Sequence, residues 1–190
     1  MVEEAGLEEK LSKGMLSACL ALFAGSLLTG YLADGALSPS VMEVLESQFA
    51  PILELPPISL TAVIFLNNVV KTLAAMLLGL ALGIPPILFL FSNGFLLGLV
   101  SFEVVQSKGI LFLLAGVIPH GVFEVPAALL SAALGIKLGK TVFRRLRGGE
   151  ADVRASLAFS LHLYLKWVPL LLAIAAVMEV FVTSLLLEML

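Results

Sequence analysis

Charge is scarce in this 190-residue chain: only 13% of its residues are Asp, Glu, Lys or Arg, against about 25% in an ordinary soluble domain. With 60% hydrophobic residues and a mean hydropathy of +1.10, water is excluded as the main solvent. Cysteine is nearly absent too. Cys19 stands alone inside an apolar run, which excludes an internal disulfide framework and a cysteine metal cluster and leaves a small buried hydrophobe. There is no surplus of basic residues, the net charge being −3, so nucleic acid is not an expected partner. Lys and Arg are missing altogether between Asp34 and Ser59. Only three Asn and two Gln occur, a hint of a thermophilic source. No His-Glu-x-x-His, nucleophile elbow, phosphate loop or dinucleotide fingerprint is present, so the chain reads as non-enzymatic, with no cofactor required.

What the chain does contain is long apolar runs. A crossing needs about 20 apolar residues, and the runs give an all-α, polytopic transmembrane bundle of about five spans at 14–33, 60–83, 84–102, 109–139 and 167–187. Residues 1–190 form a single integral membrane domain with a short cytoplasmic N-terminus over 1–13. Glu3, Glu4, Glu8 and Glu9 precede the first run, the wrong flank for a cleavable signal peptide, so that run is expected to be kept. Pro39, after Ser38, opens a helical pattern expected to lie on the membrane surface. Gly83, Pro85 and Pro86 mark a turn, and Glu103 to Lys108 reads as a short loop. The run 109–139 is 31 residues long, about 46 Å as one helix, so a broken helix is expected at Pro119-His120-Gly121. Residues 151–166 read as an interfacial helix, with Tyr164 and Trp167 at the headgroup level and His162 and Lys166 snorkelling nearby.

The strongly basic stretch, Lys137, Lys140, Arg144, Arg145, Arg147 and Arg154, is expected to face the cytoplasm. Counting spans from it makes this a multi-pass protein of the cell membrane, N-terminus cytoplasmic and C-terminus external. Gly79 with Gly83, Gly94 with Gly98 and Gly135 with Gly139 are small-xxx-small pairs that let backbones approach closely. Glycine-rich faces on a bundle in the lipid bilayer also predict self-association as a homo-oligomer, a dimer.

Polar residues far from helix ends are costly in lipid and turn inward toward one another. Asn67, Asn68, Lys71, Asn93, His120, Glu124 and Glu179 are therefore the candidate intramembrane polar cluster. Asn67 and Lys71 share a helical face, as do His120 and Glu124. The cluster reads in three ways: a hydrogen-bonded network that fixes packing, a proton or ion pathway through His120, Glu124 and Glu179, or a metal site. His120 and Glu124 are the two possible metal ligands, and a tetrahedral ion needs more from other spans.

Asn67-Asn68-x-x-Lys71, Asn93-Gly94, Pro119-His120-Gly121-x-x-Glu124-x-Pro126 and Gly135-x-Lys137-x-Gly139 together give a chain that resembles the stage II sporulation protein M family over about Leu60 to Gly139. The resemblance implies a multi-spanning membrane protein, found in spore-forming and non-sporulating organisms alike. It also implies, from the named member, a membrane anchor or scaffold acting with cell-wall-degrading partners. Two functional classes follow: a membrane scaffold or assembly partner for membrane or cell-envelope proteins, and a small transporter or channel using His120 and Glu124.

Overall fold

In the structure, a computed structural model describing residues 13–33, 47 and 54–190, the apolar runs become helices: α1 (Lys13–Leu32), α2 (Pro57–Leu78), α3 (Ile84–Lys108), α4 (Ile110–Leu146) and α5 (Val153–Val177). The last continues through a π-helical segment, Met178–Thr183, into α6 (Ser184–Glu188). Among the described residues, five helices are long and apolar enough to cross a membrane, α5 counting together with its extension. The surface helix expected after Ser38, and nearly all of the N-terminal segment, lie outside the described residues.

Local chemistry sets the boundaries. Pro57 opens α2, where its missing donor costs nothing. Gly83, at φ +77°, turns the chain into α3 in a left-handed conformation that a side chain would strain, and Pro85 sits in the first turn that follows. One residue, Gly109 at φ +88°, joins α3 to α4. The carboxylate of Asp152 accepts the Ala155 N–H at 2.9 Å and caps α5.

Four expectations need correction. The helix α4 is not broken at Pro119-His120-Gly121; it runs unbroken for 37 residues with Pro119 and Pro126 inside it. Each proline deprives a single carbonyl of its intrahelical donor, whereas unwinding a turn would free several backbone groups in a medium that cannot satisfy them. The surplus length is a continuation of the helix to the exposed basic residues Lys140, Arg144 and Arg145. Residues 103–108 are helical and belong to α3. Residues 153–166 are continuous with the last span rather than a separate interfacial helix. Tyr164 is not at a headgroup boundary: it is 1% exposed in the core, while Trp167 on the same helix is exposed.

The central element is α4. Its stretch from Ala127 to Thr141 is mostly small or aliphatic and is buried at eleven positions. On one side it meets α1 and α3 around Cys19, Phe23, Leu90, Ala128, Ala132 and Ala133. On the other it meets α2 and α5 around Met76, Ala127, Leu134, Leu138, Tyr164, Val168 and Leu172. The glycine pairs make these approaches possible, and they do so inside the chain. A Cβ on Gly94 would strike Ser26 and the Phe23 carbonyl, and one on Gly98 the Leu27 carbonyl. Gly79 lies on the backbone of Gly135, and Gly139 on that of Gly83.

Replacing Gly79 with Ala should therefore lower the thermal unfolding temperature in detergent, by the equivalent of about 1–3 kcal/mol, the usual range for overpacking. Gly25 has nothing within 4 Å of a Cβ, and Gly25→Ala should leave the unfolding temperature unchanged or slightly raised. Equal behaviour of the two variants would count against the close contact.

Candidate functional site

Register along two parallel helices builds the site. Gly79 meets Gly135, Gly83 meets Gly139, and each pair is separated by 56 positions, the same separation as Asn68 and Glu124. Eleven residues, about three turns, return a side chain to the same helical face, so the glycine contact that joins α2 to α4 also points Asn68 at Glu124. The Asn68 Nδ2 donates to Glu124 Oε1 at 3.2 Å. Asn67 Nδ2 in turn donates to Asn68 Oδ1 at 3.3 Å.

Beside this bond α2 and α3, which touch little, leave a cavity of about 250 Å³ lined by Asn67, Asn68, Lys71, Asn93, Glu124 and Glu179 among others. A second cavity of about 240 Å³ lies between Phe23, Leu97, Val117, His120 and Gly121, and shares Asn93, Glu124 and Ala128 with the first. The carboxyl group of Glu124 thus stands between the two. Asn67, Lys71 and Asn93 are exposed along the rim, whereas Asn68, His120, Glu124 and Glu179 are half-buried. Asn93 bonds back to the Phe89 carbonyl at 2.7 Å and lines the cleft without joining the network.

The last helix reaches the site through its irregularity. Its π-helical segment places Glu179 and Thr183 toward α4. Such segments occur often at functional sites. Thr183 Oγ1 lies 3.4 Å from His120 Nδ1, while His120 Nε2 and Glu124 Oε2 face each other at 4.0 Å. One ligand atom from each of His120, Glu124 and Glu179 lies within 4.8 Å of the others.

All seven residues singled out in the sequence line one of these two cavities. Three supporting residues were missed. Tyr164 OH donates to the Val69 carbonyl at 2.9 Å and shares a hydrogen bond with Thr72 at 3.0 Å, tying α5 to α2 just below the cleft. Thr183 stands four residues after Glu179, a polar pair in an apolar run that could have been read as one face. Neither Thr72 nor Tyr164 carries a comparable signal. Lys137, from the Gly135-x-Lys137-x-Gly139 element, is buried with its Nζ 3.8 Å from the Phe159 ring centre, away from the cleft. His162 and Lys166 are exposed, the latter 5.4 Å from the Trp167 ring.

Residues 15–184 match the profile of the family described as stage II sporulation protein M. The chain belongs to the stage II sporulation protein M family. The match takes in every spanning helix, well beyond the stretch 60–139 that carries the motifs. In this family member the motif residues Asn68 and Glu124 are direct partners, which gives a physical reason for their pairing across two elements distant in sequence. The chain is also similar to an uncharacterized protein of Methanocaldococcus jannaschii, 30% identical over 126 residues, 62% of this chain and 68% of that protein. No solved structure matches the chain.

Substituting Glu124 with Ala removes the acceptor for Asn68 and should destabilise the protein by about 1–3 kcal/mol, the cost of a stranded polar group. Glu124→Gln retains an acceptor oxygen and should cost less. A thermal unfolding temperature for Glu124→Ala equal to that of wild type would remove the network.

Proposed function

We propose that this member of the family is a non-enzymatic scaffold or assembly partner in the cell membrane, and that the cleft between α2 and α3 receives a transmembrane helix of another membrane or cell-envelope protein. The observation that carries this reading is the exposed rim of Asn67, Lys71 and Asn93 near mid-span. Amide and ammonium groups facing hydrocarbon are costly, and a helix bringing acceptor side chains relieves that cost. A twofold dimer built on this cleft would set Lys71 near its own copy. The homodimer expected from the sequence is therefore proposed on another surface, and its mass in native nanodiscs should be that of two chains.

The lining of the two cavities along α4 runs from Val117 to Ala128, about 17 Å at 1.5 Å per residue, roughly half of a bilayer core. That favours a docking cleft over a transport path. Photo-crosslinkers at Asn93 should capture a membrane protein in native membranes, and Lys71→Leu should abolish capture at unchanged unfolding temperature. Ion or proton flux in liposomes that Glu124→Gln stops would overturn the scaffold reading in favour of a transporter.

The proposed orientation, N-terminus cytoplasmic and C-terminus external, rests on the basic residues from Lys137 to Arg154. In a Cys19→Ala background, an impermeant thiol reagent added outside cells should label Glu54→Cys and spare Arg147→Cys. Labelling of both from one side would refute the topology.

A further inference from the structure

Two ligand-type atoms face each other across the site at a separation that suits neither a hydrogen bond nor free solvation. His120 Nε2 and Glu124 Oε2 are 4.0 Å apart, too far for a hydrogen bond. The opposite atom of each group is occupied. His120 Nδ1 is paired with Thr183 Oγ1, and Glu124 Oε1 accepts from Asn68, itself held by Asn67. Imidazole and carboxylate metal ligands are oriented in this way, one atom on the ion and the other held by an outer hydrogen bond. Glu179, from the π-helical segment, brings a carboxylate oxygen within 4.8 Å of a ligand atom of His120 and of Glu124. Two donors bound tetrahedrally at about 2.0–2.2 Å lie about 3.3–3.6 Å apart, so the His120–Glu124 pair needs to close by about 0.5 Å and the Glu179 contacts by no more than about 1.5 Å.

We propose that His120 Nε2 and one carboxylate oxygen each from Glu124 and Glu179 bind a single divalent transition-metal cation, with water from the adjoining cavity completing its coordination. Charge supports the assignment: a dication with two carboxylates and a neutral imidazole is neutral overall, the arrangement best suited to membrane depth. The imidazole selects a zinc-, iron- or nickel-type ion over calcium or magnesium. Lys71 lines the same cavity as both carboxylates and competes with the ion for their charge. The ion would join α4 to the last helix directly, and to α2 through Asn68. This inference goes beyond the scaffold reading and does not depend on it.

The test uses full-length protein in nanodiscs, stripped with chelator and titrated with Co2+, then Zn2+. Wild type should take up about one Co2+ per chain, give the visible absorption of a nitrogen- and oxygen-ligated ion, release it to Zn2+, and gain a higher unfolding temperature that chelator reverses. Affinity should fall by at least about 100-fold in His120→Ala and Glu179→Gln, and by about 10-fold in Thr183→Val, which removes only the outer hydrogen bond. Lys71→Met should bind as tightly as wild type or tighter. The chain has two histidines, and His162→Ala should leave binding intact. If the ligand variants do not fold, Thr183→Val, Lys71→Met and the wild-type spectrum still decide. Absence of stoichiometric Co2+ in wild type, or a signal lost with His162→Ala, would overturn the proposal.

Discussion

Direct contact between glycine backbones is the constraint from which the rest of this structure follows. Gly79 and Gly83 end α2 and turn into α3, and they lie against Gly135 and Gly139 on α4. Lipid offers helices no hydrophobic incentive to associate, so close packing at small residues must do it. Once that contact is made, the parallel course of α2 and α4 fixes which residues meet three turns away, and Asn68 is delivered to Glu124. The polar site is thus a consequence of packing at its cytoplasm-proximal end as proposed here, not an independent feature.

The membrane governs what the remaining elements can do. Prolines within α4 leave the helix intact because the alternative, an unwound turn in hydrocarbon, frees more backbone groups than the prolines do. Irregularity is instead concentrated in the last helix, where the π-helical segment brings Glu179 and Thr183 to the same site. Tyr164 then anchors α5 to the α2 backbone. Of the four helices that line the cleft, α2, α4 and the last helix each contribute a distinct device: a register, a central scaffold of small residues, and a local change of helical pitch.

Much of this was legible in the residues. Apolar runs defined the five crossings, and the rule that intramembrane polar groups turn toward one another assembled Asn67, Asn68, Lys71, Asn93, His120, Glu124 and Glu179 from four segments. Proline misled because its effect in water, where freed carbonyls are solvated, was carried into a medium where they are not. A π-helical turn leaves no composition signal, since the residues from Met178 to Thr183 are compatible with either helical pattern. Tyr164 was placed at an interface from its type alone, although its hydroxyl had a buried backbone carbonyl to meet.

The central claim, that the glycine contact sets the register at the polar site, is tested most directly by a double-mutant cycle between Gly135→Ala and Asn68→Ala, read as unfolding free energy. A Cβ at Gly135 meets the Ala75 carbonyl at 2.9 Å and Met76 Cα at 3.1 Å, so it shifts α2 without destroying the fold. Sites about 16 Å apart along a helix are ordinarily additive within about 0.5 kcal/mol. If register links them, Asn68→Ala should be costly in wild type and nearly free in the Gly135→Ala background; full additivity of the two losses would contradict the account.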